Sequence, residues 1–360
     1  MTKGLGDATE ALRRSLIQRA RPVPRRIATS LTTPRRAPED ARRWPPFGAY
    51  AYPHGAACQA GTVPTVGGAG HVISPLARRL RLGHAIRELR DAAGMTSAQL
   101  GREAGLDRTA VSKVENGERR PLDTILKLLD VLLPEGDERY RRLQRVARDG
   151  LAKGWWTAQE FAAMGARQAR TAEIESGART IREYQTSMLP GLVQTEAYAR
   201  HRSQVALEDG ADFDLNGTVA GRLRRQQQIS GPDGSEYDVV LEPQAIERLP
   251  VPPAVMREQL HHLLTLATTR ENISVRVLPV DARLGRGYVP RSPFSLYAYP
   301  DPEDLTLVAV DTVTADLLVT EAREAQRYAA MFDQLRAAAL SQEESADLIQ
   351  KAADALAAEA

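Results

Sequence analysis

The chain has 360 residues, of which 42% are hydrophobic, so it is long enough for two or three domains with buried cores. Its single cysteine, Cys58, excludes a disulfide framework and a zinc site built from cysteines. The formal net charge is only +2. No apolar run is long enough to cross a bilayer and no signal peptide is recognised at the start of the sequence, so we expect a cytoplasmic protein without a membrane partner.

Charge is distributed unevenly along the chain. Residues 1–75 contain 11 Lys or Arg against 4 Asp or Glu, and residues 76–150 contain 16 against 12. Residues 151–360 contain 21 against 30, which is a net charge of −9. This separation indicates a basic part that contacts an anionic polymer, joined to an acidic domain with another role.

Residues 1–76 are predicted to be a disordered basic leader. They hold nine of the 22 prolines and show no sustained hydrophobic period. Arginine pairs at 13–14, 25–26, 35–36 and 42–43 could form an arm that touches a nucleic-acid backbone. The Arg-rich, acid-poor composition also resembles an organelle transit peptide. We prefer a third interpretation, in which the leader was translated from a start codon set too far upstream.

Residues 77–150 are predicted to form a helical domain, and its first helix runs from about Arg78 to Ala93. The positions at helical spacing that face inward are Leu82, Ile86 and Leu89. The outward positions are Arg79, Arg87 and Arg90. Two interpretations of these arginines stay open, namely phosphate contact and a solvated helix face.

Two short helices follow, joined by a tight turn. Thr96 is a good N-cap and Gln99 completes a capping box, so a helix begins there and ends at Gly105. Asp107 caps a second helix, and Gly117 ends it because glycine readily adopts the left-handed conformation of a helix end. The core-facing positions of the second helix are Val111 and Val114.

With those valines buried, the second helix presents a polar and basic face outward. The residues on this face are Arg108, Thr109, Ser112 and Lys113. Arg binds guanine bidentately, Ser and Thr donate and accept hydrogen bonds, and Lys adds a point charge, so these residues are predicted to read bases of double-stranded DNA. The alternative is a solvated helix face. The caps, turn and basic face together favour a helix-turn-helix unit, and hence a nucleoid-associated protein.

Residues 82–133, and the segment 106–117 above all, resemble the Cro/repressor-type (XRE) helix-turn-helix family. The resemblance implies a lambda-repressor-like bundle of five helices whose third helix enters the major groove. It also implies a set of residues that contact the DNA backbone. They are Thr96, Ser97, Gln99, Asn116, Arg119 and Arg120. Ser97 departs from the glutamine that the family often has after the cap, and Gly101 stands where alanine is commoner.

Pro121 and Asp123 are predicted to begin a fourth helix, which closes the core of the bundle. Its core-facing positions are Leu122, Ile125, Leu126 and Leu129. A fifth helix is predicted from Asp137 to Arg148. It is rich in arginines, which are either functional or a solvated helix face.

Residues 151–360 are predicted to form a second domain. Predicted strands cover residues 179–184, 237–241, 273–278, 294–299, 306–310 and 316–320. Predicted helices cover residues 155–176, 196–205, 219–229, 253–266, 321–339 and 342–358. Helices and consecutive strands mixed in this order indicate an α+β domain with a mainly antiparallel sheet, which would dimerise, regulate or bind a partner.

Several segments of this second domain resemble an actinobacterial domain of unsettled molecular function. They are Trp155-Trp156, residues 181–184, 189–195, 198–200 and 255–260, and the acidic turn 300–304. That domain accompanies the same helix-turn-helix in WhiJ-type, antitoxin-like regulators. The resemblance implies a partner, a small acidic protein encoded beside the gene. The segment 249–253 departs from the Gly-Gly-Pro turn that is usual in the family.

No constellation for catalysis is visible. Glu258 and His261 have the spacing of two metal ligands on one helix face, but a di-iron site needs a second such pair and two further carboxylates, and the sequence has no second pair. There is no phosphate-binding loop and no nucleophile elbow. We therefore expect no enzyme, no cofactor and no metal.

Three hypotheses remain. The first is a dimeric, sequence-specific transcriptional regulator whose C-terminal domain receives a signal or a protein partner. The second is an antitoxin-like interaction module that sequesters a small acidic partner and binds DNA to regulate its own gene. The third is a repressor that binds a small molecule near Arg276, Tyr297 and Tyr299, residues for which ordinary sheet packing is the simpler interpretation.

Overall fold

The computed structural model describes residues 73–358, apart from residues 209, 211–212, 232, 286–289 and 313–316. Most of the predicted leader, including Cys58 and the four arginine pairs, lies outside the described residues. Of the leader, only residues 73–76 are described, and the chain is helical from Pro75 onward. Within the described residues, no helix is both long enough and apolar enough to cross a membrane.

The described chain opens with a bundle of five helices. They are α1 (Pro75–Ala92), α2 (Ser97–Glu103), α3 (Arg108–Glu115), α4 (Leu122–Leu132) and α5 (Glu138–Gly150). Their common core joins Leu82 and Ile86 of α1 to Val111 and Val114 of α3 and to Leu129 of α4. The predicted five-helix bundle is confirmed, and each of these core residues was expected to face inward.

Helix α1 begins earlier than predicted. The side chain of Ser74 accepts a hydrogen bond from the backbone N–H of Ala77 at 3.2 Å, and Pro75 occupies the first turn, where a missing N–H breaks no helical bond. The added turn carries Leu76 and leads to Leu80, and with Ala77 both are buried in the core of the C-terminal sheet. α1 therefore belongs to both parts of the chain.

Gly83 is the point of closest approach between α1 and α3. A Cβ atom at this position would lie 2.6 Å from the carbonyl oxygens of both Val114 and Glu115. Gly83→Ala should therefore lower the free energy of unfolding by about 1–3 kcal/mol through overpacking. In an exposed helix the same change would raise it by about 1 kcal/mol, so the sign alone tests the packing.

Urea unfolding of the full chain measures this effect. Gly101→Ala in α2 is the comparison variant with a less severe contact. There the backbone atom nearest to the new Cβ would lie 3.0 Å away, instead of 2.6 Å at Gly83. We expect its effect to be clearly smaller than that of Gly83→Ala. A stabilised Gly83→Ala protein would contradict the described contact between α1 and α3.

The C-terminal region contains the remaining elements. Its helices are α6 (Ala166–Glu175), α7 (Glu196–Glu208), α8 (Leu215–Ser230), α9 (Gln244–Glu247), α10 (Pro253–Thr269), α11 (Ala322–Ala338) and α12 (Gln342–Ala358). Its strands are β1 (Thr180–Gln185), β2 (Glu236–Leu241), β3 (Ile273–Val277), β4 (Phe294–Ala298), β5 (Leu307–Val310) and β6 (Leu317–Val319). Short 3-10 turns cover Trp155–Thr157, Gln159–Met164 and Gly191–Val193. The predicted α+β class is confirmed.

The six strands form one mixed sheet in the order β3-β2-β1-β4-β5-β6. β1 pairs in parallel with β2, and β2 pairs in parallel with β3. β4, β5 and β6 continue the sheet from β1 in antiparallel fashion. The prediction of a mainly antiparallel sheet is therefore wrong. Helices connect β1 to β2 and β2 to β3. Such a crossover returns the chain to the edge of the sheet at which the previous strand began, so the next strand runs parallel to it.

Both faces of the sheet are covered by helices. One face carries Ile181 and Tyr297 in a core with residues of α1, α10 and α12. The other carries Tyr184 and Phe294, which pack against Phe332 of α11. Because successive strand residues point to opposite faces, the polar side chains of β1 are divided between these two layers.

Candidate DNA-binding surface

The two predicted helix caps are confirmed. The Thr96 side chain accepts a hydrogen bond from the Gln99 N–H at 3.2 Å, while Gln99 Oε1 accepts one from the Thr96 N–H at 2.8 Å, which completes the capping box. Asp107 Oδ1 accepts a hydrogen bond from the Ala110 N–H at 2.6 Å. Gly105 separates the helices with a φ of +66°. These local bonds hold α2 and α3 as a helix-turn-helix.

The outer face of α3 is available for contact. Arg108, Thr109 and Ser112 are exposed and Lys113 is half-buried. Within the part of the chain that the structure describes, the side chains of Arg108, Thr109 and Lys113 make no hydrogen bond or ion pair, and Ser112 Oγ only accepts a 3.4 Å bond from Asn116 Nδ2. Their functional groups are therefore free to reach base edges or phosphates.

The residues expected at the DNA backbone lie in different environments. Thr96 and Gln99 are exposed but already bonded within the capping box, and Ser97 is half-buried. Asn116 Oδ1 accepts a hydrogen bond from Arg87 Nη2 at 3.2 Å.

The two arginines after α3 differ in exposure, since Arg119 is exposed and Arg120 is half-buried. Arg119 Nη2 donates to the carbonyl oxygens of Leu151 and Ala152, just after α5. Arg120 is half-buried, and its buried Nε has no hydrogen-bond partner among the described residues. Arg119 therefore ties the loop after α3 to the start of the C-terminal region.

The sequence-based outward assignment of Arg90 is wrong. Its side chain is only 11% exposed, and its Nε donates to Glu115 Oε1 at 2.6 Å while Nη2 donates to Glu115 Oε2 at 3.3 Å. The hydrogen bond with Glu115 raises the pKa of Arg90 above its usual value. Arg87 adds a 3.6 Å ion pair with the same carboxylate. These bonds fix the last residue of α3 to α1.

Arg79, also expected to face outward, is buried between the two parts of the chain. Its Nε donates to the carbonyl oxygen of Gly117 at 2.9 Å, and Nη1 donates to that of Gly150 at 3.0 Å. Nη1 also forms a 3.0 Å ion pair with Glu173 of α6. One guanidinium thus joins the turn that follows α3, the end of α5 and the C-terminal region. The helical pattern alone gave no signal for this role.

The structure does not bring together the residues of the predicted ligand pocket. Tyr297 is opposite Ile181 and lies in the layer with α1, whereas Arg276 is opposite Val240 in the other layer. Tyr299 is also buried, and its hydroxyl donates to the carbonyl oxygen of Ile174 at 2.7 Å. The two tyrosines are therefore packing residues, and their separation from Arg276 by the sheet overturns that pocket.

Glu258 and His261 lie on α10 as expected from their spacing. Across residues 73–358, outside the gaps, no three His, Cys, Asp or Glu side chains are grouped so as to hold a metal ion.

Comparison with known proteins agrees with this division of the chain. Residues 81–141 match a family model described as a helix-turn-helix domain, so the chain contains a DNA-binding domain of the kind found in regulators. Residues 168–351, more than half of the chain, match a model described as a domain of unknown function, DUF5753. No curated protein matches the chain. The chain therefore belongs to the DUF5753 family, with a helix-turn-helix domain preceding its mixed-sheet domain.

Proposed function

We propose that the protein is a sequence-specific transcriptional regulator in which α3 reads the major groove of an operator. The observation that carries this proposal is the outer face of α3. Among the described residues, its Arg108, Thr109 and Lys113 side chains make no hydrogen bond or ion pair, while Val111 and Val114 are buried on the opposite face. Thr96 and Asp107 fix the orientation of the two helices by their caps. A basic, exposed and rigid helix is what direct readout requires.

Arg108→Ala tests the assignment of the reading helix. We expect the loss of about 1–3 kcal/mol of operator affinity and a relaxed preference at one base pair, because a bidentate contact with guanine is removed. Arg102→Ala is the matched control, since Arg102 is an exposed arginine on α2 outside the predicted reading face. Operator selection from random DNA followed by binding titrations measures both quantities. Equal affinity and unchanged base preference in Arg108→Ala would place the reading surface elsewhere.

The titration is best done with the full chain. A fragment that ends at residue 150 would expose Leu76, Ala77 and Leu80, which are buried against the C-terminal core. Failure of such a fragment to bind DNA would therefore report damaged packing as well as lost recognition.

We propose that the protein acts as a homodimer in the cytoplasm. A single recognition helix covers only about half of a typical operator, and a two-fold protein matches a palindromic site. The stoichiometry of the operator titration decides this point. Two chains per duplex with symmetric half-sites support the dimer, and one chain per duplex contradicts it.

We propose that the C-terminal domain receives the regulatory signal. A small acidic protein, implied by the resemblance to antitoxin-like regulators, is one source of that signal. The net charge of −9 on residues 151–360 opposes the docking of an acidic protein there, so a regulator controlled by another ligand is favoured over a sequestering module. Purification from the native host distinguishes them, because stoichiometric recovery of a small acidic protein would favour the sequestering module.

A further inference from the structure

A cluster of three arginines lies beside the loop that follows β1. Arg222 and Arg225 come from α8, and Arg202 comes from α7. Glu175 binds Arg225 through both carboxylate oxygens, at 2.8 and 2.5 Å. Neither Arg222 nor Arg202 has an acidic partner among the described residues.

Arg222 is the unusual member of this cluster. Its Nη1 donates to Gln194 Oε1, an uncharged acceptor, and its Nε is buried without any hydrogen-bond partner among the described residues. Burial, reinforced by Arg225, Arg167 and Arg202, lowers the pKa of Arg222 to about 10. A cation withdrawn from water without a counter-ion is destabilising, and proteins normally pair such groups.

The surroundings of Arg222 are rigid and polar. Gln194 is itself buried, and its Nε2 donates to the carbonyl oxygen of Leu189 at 2.7 Å. Gln226 Nε2 donates to the carbonyl oxygen of Gln194 at 2.6 Å, which fixes the loop to α8. Arg202 Nη2 meets only the Met188 sulfur, at 3.2 Å, so its guanidinium is held beside the loop by a weak acceptor.

The position in the fold is one where ligands commonly bind. The loop extends from the carboxyl end of β1, and β1 lies between a parallel neighbour, β2, and an antiparallel neighbour, β4. In open α/β sheets, ligands bind outside the carboxyl ends of strands at the point where the strand order reverses. In this sheet the chain adds β2 and β3 on one side of β1 and then β4 on its other side, so the strand order also reverses at β1, with the difference that β4 runs antiparallel to it.

We propose that Arg222 and Arg202 bind a small oxyanion, the carboxylate or phosphate group of a ligand, in the loop after β1. Guanidinium groups match both kinds of oxyanion through paired N–H donors. The bound anion would supply the negative charge that Arg222 lacks. The buried hydroxyl of Tyr198, which lies near Arg202 and Arg222, adds a further polar group beside them.

Thermal unfolding of the full chain tests the proposal, with sodium phosphate and sodium succinate as probes against sodium chloride of equal ionic strength. We expect at least one of the two probes to raise the Tm of the wild-type protein by several degrees at millimolar concentration. Arg222→Met should lose that shift. In chloride, Arg222→Met should be at least as stable as the wild type, because it removes a cation that has no acidic partner among the described residues and whose Nε is buried without a hydrogen bond.

Arg200→Met is the matched control. Arg200 lies on α7 near Arg202, but its side chain is about half exposed and is bonded to Glu196 and Asn216, so its removal should leave the anion response intact. Arg202→Met, a change on the surface, provides a second variant if Arg222→Met does not fold. A response to phosphate alone identifies a phosphoryl ligand, and a response to succinate alone identifies a carboxylate ligand. No response to either probe, or equal responses in the wild type and both site variants, overturns the proposal.

Discussion

Glu175→Ala should lower the free energy of unfolding by about 3–5 kcal/mol, because it leaves the Arg225 guanidinium buried without its counter-ion. The two side chains are only 3% and 11% exposed, and both carboxylate oxygens accept from Arg225. Burial by itself lowers the pKa of Arg225. The negative charge of Glu175 raises it by more, so the pKa of Arg225 lies above its usual value. The guanidinium stays charged when its partner is removed, because arginine is protonated at neutral pH even without a neighbouring carboxylate. Urea unfolding, followed by circular dichroism, measures the loss.

Glu196→Ala is the matched control for Glu175→Ala. Glu196 pairs with Arg200 at 3.0 Å, but both side chains are about half exposed, so the expected loss is about 0.2–1 kcal/mol. A double variant, Glu175→Leu with Arg225→Met, should recover most of the stability, since replacing a buried ion pair by apolar groups is often neutral. A loss for Glu175→Ala no larger than that for Glu196→Ala would show that Arg225 is solvated.

Helix α6 gives this ion pair a functional position. Glu175 holds Arg225 in the C-terminal region, while Glu173, two residues earlier, holds Arg79 at the end of the recognition helix. Arg79 in turn binds the carbonyl oxygen of Gly117. A shift of α6 would therefore act on both the C-terminal core and the residues that follow α3, so α6 links these two parts of the structure directly.

The helix-turn-helix could be predicted from sequence because its determinants are local. Thr96 with Gln99 and Asp107 with Ala110 are each three residues apart, and the valine spacing places one face of α3 inward. The bounds of most helices and strands followed from equally local periodicities.

The interface between the two parts of the chain depends on contacts that are distant in sequence. Arg79 and Arg90 look like outward residues of an amphipathic helix, but each is turned inward by partners that lie far along the chain. Arg79 binds Glu173 and the carbonyl oxygens of Gly117 and Gly150, and Arg90 binds Glu115. The direction of β1, β2 and β3 likewise depends on how their crossover helices pack. No local pattern carries that information, so the mixed sheet and the double role of α1 could not be predicted.

Between pH 5 and pH 8, the wild-type protein should become less stable because of Glu183 in β1. Burial raises the pKa of Glu183 to about 7, although hydrogen bonds from Gln185 and Tyr237, both at 2.8 Å, oppose the shift, and Asp311 and Glu175 add to it. The folded protein therefore holds a proton that the unfolded chain, with a pKa near 4.5, has released. The contribution of Glu183 to the free energy of unfolding is fully present below pH 4.5. It is lost as the pH rises through 7, and the total loss is about 3 kcal/mol.

Glu183→Gln isolates this contribution. Glutamine stays neutral at every pH, so the variant should match the wild type near pH 5, exceed its stability at pH 8, and lose most of the slope between them. The amide can still form hydrogen bonds with Tyr237 and Gln185, whereas Glu183→Leu would leave their polar groups unpaired and should be less stable at both pH values. Denaturant unfolding at five pH values measures the slopes, with Glu196→Gln on the exposed side of α7 as the control for a lost negative charge. A wild-type stability that rises from pH 5 to pH 8, or a slope that Glu183→Gln leaves intact, would mean that Glu183 is ionised in the folded protein and that its burial is offset by the hydrogen bonds it accepts.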